Sequence, residues 1–184
     1  AVRAILGQQI TVRAACTLGT RLVQRLGTPI TTPVAGLTHV FPSALVLAGT
    51  PGEVLGELGI TRQRQKAIAA LADSVAQGTL RLSPGADVPS TIAALQALPG
   101  LGPWTANYIA MRALRWPDAF VAGDVTLHKA LGIQDNKHPA KAAKAAEAAS
   151  QVWKPWRSYA VIRAWASLAA PANALATRKS LSNS

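Results

Sequence analysis

Three observations predict that this protein is all-α. Apolar residues recur with the 3.6-residue period of a helix along most of the 184 residues. Capping residues and Gly or Pro stops bracket these periodic stretches, as is typical of helix ends. No alternating stretch has the length of a convincing strand, and AFVAG, residues 119–123, is the one short candidate. The apolar fraction of 49% suffices for one compact domain or for two small lobes that share a core.

Three helices are predicted in the N-terminal half. The clearest has Thr11 as its cap, a broad apolar face and Gly27 as its stop. A second has Thr50 as its cap, with the following proline in the first helical position. A third runs from a cap at Thr61 to a stop at Gly78. Cations in its first turns oppose the helix dipole and therefore suggest a phosphate nearby. These cations are Arg62, Arg64 and Lys66.

Five further helices are predicted after a Pro- and Gly-bearing loop at 79–90. Their approximate ranges are 90–97, 104–115, 125–131, 139–152 and 156–168. Ser90 is the expected cap of the first, and Asp124 lies in the loop before the third. The last residues, 177–184, are expected to form a flexible tail.

The charge balance indicates a polyanionic partner. The chain has 19 Lys and Arg against 8 Asp and Glu, a formal net charge of +11, and the surplus is spread along the sequence. Neutralising phosphates releases counterions, so this surplus favours nucleic acid as the partner. A basic protein with no such partner is the alternative.

Cysteine usage and hydropathy limit the class of protein further. The single cysteine, Cys16, excludes an intrachain disulfide framework, a cysteine-ligated iron–sulfur cluster and a multi-cysteine zinc site. No apolar run approaches the roughly 20 residues of a membrane helix, so we expect a soluble, cytoplasmic protein with no membrane partner. The histidines lack the spacing of metal ligands and are interpreted as surface or incidental residues: His39, His128 and His138. The chain begins at Ala1 without Met, and an upstream domain is expected to precede it.

A dense turn, meaning one rich in Gly and Pro, occurs in LPGLGPWTANY. It holds two glycines and two prolines within six residues, and the segment then continues as a helix. Gly100 and Gly102 lack a Cβ, so the backbone there can adopt positive φ and approach another surface closely. The helix that follows presents N–H groups at its start, and these together with the dipole bind an anion. The turn therefore suits a phosphate grip that is independent of base sequence, with a plain interhelix turn as the alternative.

Four motifs occur in order over nearly the whole chain: VRAILGQQI, LPGLGPWTANYIAMRAL, FVAGDVTLHKALG and WKPWRSYAVIRAW. In these motifs the chain resembles the 3-methyladenine DNA glycosylase II family of the helix-hairpin-helix DNA glycosylase superfamily. The resemblance implies a two-lobed helical domain over 1–176, with one lobe at about 11–107 and the other formed by 1–10 and 108–176. It also implies an N-terminal subdomain, or a fused alkyl-transfer repair domain, that is absent from this chain.

The activity implied by the resemblance is the removal of alkylated purines from double-stranded DNA by a monomer that needs no cofactor. Such a protein would be nucleoid-associated in a bacterium, or nuclear in a eukaryote. Asp124 matches the family's carboxylate, which stabilises positive charge on the deoxyribose and orients or deprotonates a water. The same aspartate could instead cap the next helix, and both roles can coexist.

Trp104 occupies the position at which strand-nicking relatives carry a nucleophilic lysine. An indole cannot perform amine chemistry, so the implied product is an intact strand with an abasic site. Two alternatives stay open. One is a non-catalytic DNA-binding platform, and the other is a glycosylase for other damaged bases, including a bifunctional glycosylase-lyase for oxidised ones.

The remaining site residues also follow from the resemblance. Trp104, Tyr108 and Trp165 would line the base pocket, because aromatic faces attract a purine made cationic by alkylation. Gln9 replaces the apolar wedge that fills the gap left by the flipped base, whereas Gln8 is expected to be structural. The residues expected at the DNA are Gln9, Leu98, Gly100, Leu101, Gly102 and Thr105. The backbone carbonyls expected to hold a structural Na or K ion are those of Gln96, Leu98 and Leu101. The tryptophans expected to pack in the core are Trp116, Trp153 and Trp156.

Overall fold

A computed structural model describes residues 1–133 and 137–169. This part of the chain is helical apart from one pair of two-residue strands, which confirms the all-α prediction. The described residues divide into two compact units, with the boundary between residues 115 and 116. No helix among the described residues combines the length and the apolar character needed to cross a membrane. The predicted tail at 177–184 lies outside the described residues.

The first unit is a helical cluster with a small antiparallel strand pair. Its elements are α1 (Val2–Leu6), α2 (Val12–Leu26), β1 (Thr28–Pro29), β2 (His39–Val40), α3 (Ala44–Ala48), α4 (Gly52–Glu57), α5 (Arg62–Ala76), α6 (Val88–Ala97) and α7 (Pro103–Arg112). Short α1 packs against α2, α5 and α7. Its Ile5 and Leu6 are fully buried in the same apolar core as Leu22 and Ile68. Residues 1–10 and 108–115 belong to this unit, whereas the resemblance implied that they belong to the other lobe.

Two helix starts in this unit test the capping predictions. Thr11 caps α2 as predicted, since its hydroxyl accepts a hydrogen bond from the N–H of Ala14 at 3.2 Å. The prediction that Thr50 caps α4 is wrong. The Thr50 hydroxyl donates back to the Val46 carbonyl of α3 at 2.6 Å, and Pro51 takes the N-cap position. The short preceding helix therefore competes successfully for the hydroxyl group.

The helices on either side of the dense turn have boundaries that differ from the predicted ones. Asp87, not Ser90, caps α6, because its Oδ1 accepts the Ser90 N–H at 2.9 Å and places Ser90 inside the first turn. Helix α7 ends at Arg112 rather than at Arg115. Arg115 has φ of 57°, a left-handed conformation that cannot continue a right-handed helix.

The second unit is built from α8 (Val125–Ala130), α9 (Pro139–Ala149), a 3-10 helix (Ser150–Trp153) and α10 (Arg157–Ala169). Helix α8 packs against both α9 and α10. The AFVAG segment is not a strand, although its Ala119, Phe120 and Val121 are buried. Trp153 packs against Phe120, with ring centroids 6.5 Å apart. Trp156 is 58% exposed, so the prediction that it lies in the core is wrong.

Candidate functional site

The two glycines of the turn between α6 and α7 differ in backbone conformation and in the space around them. Gly100 has φ of 78°, the left-handed conformation that favours glycine, and a Cβ there would lie 3.4 Å from the Cβ of Ala67 on α5. Gly102 has φ of −79° and forms the N-cap of α7, and a Cβ there would meet no atom within 4 Å. Gly100 therefore shapes the turn, while Gly102 leaves open space over the start of α7.

The first turn of α7 offers backbone donors to an anion. Pro103 has no N–H, and the first bond within the helix runs from the Ala106 N–H to the Gly102 carbonyl at 3.0 Å. The N–H groups before Ala106 have no acceptor inside the helix, and Gly102 has no side chain with which to cap them. Backbone donors in this position, together with the helix dipole, are suited to binding an anion.

Two of the residues expected at the DNA have side chains that face the core instead. Leu101 is 2% exposed and Thr105 is 3% exposed. The Thr105 hydroxyl accepts a hydrogen bond from Gln8 Nε2 at 3.0 Å, and the same amide donates to the Gly100 carbonyl at 2.9 Å. Leu101 and Thr105 can therefore meet DNA only through their backbone. The expectation that Gln8 is structural is confirmed.

Gln9 is exposed, next to Gln8, and its backbone is held in an unusual conformation. Its φ of 54° is left-handed, which is uncommon for a residue other than glycine. The preceding carbonyl, that of Gln8, accepts a hydrogen bond from the Arg64 guanidinium. This bond gives Arg64 one partner within the protein, and a phosphate near the start of α5 stays a prediction. The loop that presents Gln9 is thus attached both to α5 and to the α6–α7 turn.

An aromatic row runs along α7 at a spacing of four residues. The Trp104 and Tyr108 rings stack with centroids 5.2 Å apart and planes 12° apart. The Arg112 guanidinium carbon lies 5.7 Å from the Tyr108 ring centroid. Residues four apart lie one above the other on a helix, so Tyr108 has a neighbour in the row on either side. Both rings are partly exposed, and Trp104 stands at the end of the row nearest the turn.

In the second unit, Asp124 caps α8 and is also held by α10. Its Oδ1 accepts the Leu127 N–H at 2.6 Å and the Trp165 indole N–H at 3.0 Å. The carboxylate is partly buried, and its backbone N–H donates to the Val121 carbonyl at 2.9 Å. The capping role is thus present. The indole contact adds a hydrogen bond from α10 to the one that caps α8.

His128 is buried, whereas from the sequence it is interpreted as a surface or incidental residue. It is 9% exposed, and its Nε2 lies 2.6 Å from the Ala122 carbonyl. A carbonyl oxygen can only accept, so the Nε2 of His128 carries the proton. This bond ties α8 to the loop two residues before Asp124.

An ion cluster in the second unit went unpredicted. Arg157 holds Asp118 in a fork, with Nε to Oδ1 and Nη2 to Oδ2 both at 2.8 Å, and its Nη1 contacts Glu147 Oε1 at 2.8 Å. The hydrogen bonds from Arg157 lower the pKa of Asp118, and the same bonds raise the pKa of Arg157. Asp118 is the second carboxylate of the segment before α8, and its engagement by Arg157 argues against a catalytic role for it.

Side chains that could ligate a metal ion do not cluster among the described residues. Within 1–133 and 137–169, no group of three or more His, Cys, Asp or Glu side chains is arranged to hold a metal ion. The oxygen donors of the α6–α7 turn are backbone carbonyls. These suit a monovalent cation better than a transition metal.

Comparison with known proteins gives a consistent result. The family model of the HhH-GPD superfamily base excision DNA repair proteins matches residues 2–156. Over 176 residues the chain is 43% identical to a "Probable bifunctional transcriptional activator/DNA repair enzyme AlkA" of Mycobacterium tuberculosis, covering 94% of this chain and 34% of that protein. Over 164 residues it is 35% identical to the "DNA-3-methyladenine glycosylase 2" of Escherichia coli, covering 89% of this chain and 55% of that protein.

Among solved structures, a 3-methyladenine DNA glycosylase from Archaeoglobus fulgidus superposes with a TM-score of 0.73 at 23% identity, covering 89% of this chain and 55% of that one. This likeness shows a shared fold. The chain spans between a third and somewhat over half of the length of the two relatives named above.

Proposed function

Since this chain belongs to the HhH-GPD superfamily of base excision DNA repair proteins, we propose that it is a monofunctional DNA glycosylase. It binds damaged duplex DNA, accepts a flipped alkylated purine and hydrolyses the bond between that base and its deoxyribose. The product is an abasic site in an unbroken strand. The names of the relatives, which describe 3-methyladenine glycosylases, support the choice of alkylated purines.

The observation that carries this proposal is that hydrogen bonds hold the Asp124 carboxylate in place. Breaking the glycosidic bond builds positive charge on the sugar, and a fixed anion nearby lowers the energy of that transition state. The Leu127 N–H and the Trp165 indole hold the Asp124 carboxylate in one orientation. Charge held in place before the reaction needs no reorganisation during it, so this carboxylate suits electrostatic stabilisation and the activation of a water.

Base recognition in this proposal uses the end of the aromatic row. Trp104 is partly exposed at the end of this row nearest the turn, and we assign its indole as the surface on which a base would stack. An alkylated purine carries positive charge, which the electron-rich indole face attracts. Such a base is also a good leaving group without prior protonation. The reaction therefore requires one carboxylate and no general acid.

The DNA backbone would be held by the α6–α7 turn. The open space at Gly102 and the backbone donors of the first turn of α7 suit a phosphate oxygen. Gln9, exposed beside the turn, would fill the gap left by the flipped base and could hydrogen-bond the orphaned partner base. These contacts carry no information on base sequence, so damage would be found by flipping rather than by groove readout.

A monovalent cation fits the same turn as a structural element. The carbonyls of Gln96 and Leu98 lie at the C-terminal end of α6, where intrahelical donors run out. The Leu98 carbonyl accepts the Leu101 N–H at 3.3 Å and keeps a second lone pair for a cation. Together with the Leu101 carbonyl they would hold Na⁺ or K⁺, whose charge adds to the attraction for a phosphate.

A base-release assay tests the proposal. The purified chain is incubated with methylated duplex DNA, and released bases are separated by chromatography. We expect 3-methyladenine in the supernatant and a strand that breaks only after heat or alkali. Binding to the same DNA without any base release would instead support the non-catalytic DNA-binding platform.

A further inference from the structure

The loop that leads from α7 to α8 is attached to α10 at two separate points. One attachment is at the start of α10 and involves residues 116–119 of the loop. The other is eight residues further along the helix, where the Trp165 indole holds Asp124. Eight residues of α-helix span about 12 Å, so α10 fixes two well-separated points of this loop.

The first attachment is strong and mostly buried. The Arg157 guanidinium holds both carboxylate oxygens of Asp118 at 2.8 Å, and the two side chains are 10% and 15% exposed. Paired parallel hydrogen bonds of this kind fix direction as well as distance. The Arg157 backbone N–H also points to Asp118 Oδ1, at 3.4 Å. The contact of Arg157 with Glu147 is more peripheral, because the Glu147 side chain is 46% exposed.

Ser158 extends the same attachment through backbone groups. Its N–H donates to the Pro117 carbonyl at 2.8 Å, and its hydroxyl donates to the Trp116 carbonyl at 2.7 Å. The loop between the two attachments is anchored by its own apolar residues, Phe120 at 5% and Val121 at 1% exposure. The segment from 116 to 124 therefore has little freedom to move independently of α10.

We propose that Arg157 is a positioning residue that sets the place of the Asp124 carboxylate. By fixing the register of α10 against the loop at Asp118, Arg157 determines whether the Trp165 indole reaches Asp124 Oδ1. This inference rests on the proposed catalytic role of Asp124. A displacement of the carboxylate by about 1 Å is enough to lower the rate of such a reaction by up to a hundredfold.

The test compares Arg157→Lys and Asp118→Asn with two matched controls. Lysine keeps the charge of Arg157 but lacks its two-pronged geometry. Arg163→Lys makes the same exchange at an exposed position of the same helix, and Glu147→Gln removes the carboxylate that does not belong to the loop. Each variant is assayed for single-turnover release of 3-methyladenine, for affinity to DNA with a non-cleavable abasic analogue, and for folding by circular dichroism.

We expect Arg157→Lys and Asp118→Asn to lower the single-turnover rate by about ten- to a hundredfold with unchanged DNA affinity. Arg163→Lys and Glu147→Gln should keep the wild-type rate. A folded Arg157→Lys protein with the wild-type rate would overturn the proposal, as would equal losses in all four variants. If Arg157→Lys does not fold, Asp118→Asn decides the question by the same criteria.

A spectroscopic readout separates this inference from the proposed function. The indole N–H resonance of Trp165, assigned with Trp165→Phe, should move upfield in Arg157→Lys, because the hydrogen bond to Asp124 weakens. The resonance should stay in place in Arg163→Lys. Retained activity in Asp124→Asn would remove the proposed function, whereas an unmoved Trp165 resonance in Arg157→Lys would remove the positioning role alone.

Discussion

Replacing each glycine of the α6–α7 turn by serine should have opposite consequences for stability. Gly100 has φ of 78°, and an L-residue in this left-handed conformation costs about 1–2 kcal/mol. Its added Cβ would stand 3.4 Å from the Ala67 Cβ, which is an ordinary contact, so strain of the backbone accounts for most of the loss. Gly100→Ser should therefore lower the melting temperature by about 2–8 °C for a chain of this size.

Gly102→Ser should leave stability unchanged or raise it slightly. The backbone of Gly102, with φ of −79° and ψ of 177°, already has the extended conformation of an N-cap, and the added atoms meet nothing within 4 Å. Serine is a preferred N-cap residue and is better than glycine by a few tenths of a kcal/mol. Urea unfolding followed by circular dichroism measures both variants. Equal destabilisation by the two substitutions, or a larger loss in Gly102→Ser, would refute this division of roles.

Three other predictions concern binding, product and pH. Gly102→Asp should fold normally, because aspartate also caps helices well. The added carboxylate should repel phosphate, so the variant should bind undamaged duplex DNA more weakly in fluorescence anisotropy at low and moderate salt. Unchanged affinity would argue against a phosphate at this turn. Borohydride should trap no covalent adduct between the protein and methylated DNA, because Trp104 supplies no amine. An adduct on a denaturing gel would indicate another nucleophile, and Lys129 would be the first residue to replace by mutation. The pKa of Asp118 is lowered in the folded state by Arg157, so its contribution to stability is present above the unfolded pKa of about 3.9 and is lost as the pH falls through the folded value. The free energy of unfolding of the wild type, measured with urea, should therefore fall below about pH 4, and the fall should be smaller in Asp118→Asn. At neutral pH, Asp118→Asn should be less stable than the wild type by about 2–3 kcal/mol. Parallel pH profiles of the two proteins would contradict this reasoning.

Local sequence rules predicted the long helices because their signals are short-range. Apolar periodicity and a cap at Thr11 suffice to locate α2, and the density of Gly and Pro suffices to locate the turn at 98–103. Short α1 and α3 escaped prediction, since five residues give too little periodicity. The competition between Asp87 and Ser90 for the cap of α6 also depends on geometry that spacing alone does not supply.

The candidate site was predictable where the chemistry resides in a motif and unpredictable where it resides in contacts between distant residues. Asp124 follows from its motif, and its capping role follows from the helix after it. The bond from Trp165 to Asp124 joins residues 41 positions apart, and the Arg157–Asp118 pair joins residues 39 apart. Nothing local in the sequence indicates which arginine folds inward. The burial of Leu101 in the apolar core and of Thr105 beside Gln8 likewise depends on residues distant in sequence rather than on the turn motif.

The most direct test of the account is single-turnover release of 3-methyladenine by Asp124→Asn. Asparagine caps a helix about as well as aspartate, and its amide oxygen can still accept the Trp165 indole N–H, so the variant should fold and bind an abasic analogue as the wild type does. Loss of the negative charge should lower the release rate by roughly a hundredfold or more. A folded Asp124→Asn protein that releases 3-methyladenine at the wild-type rate would contradict the account.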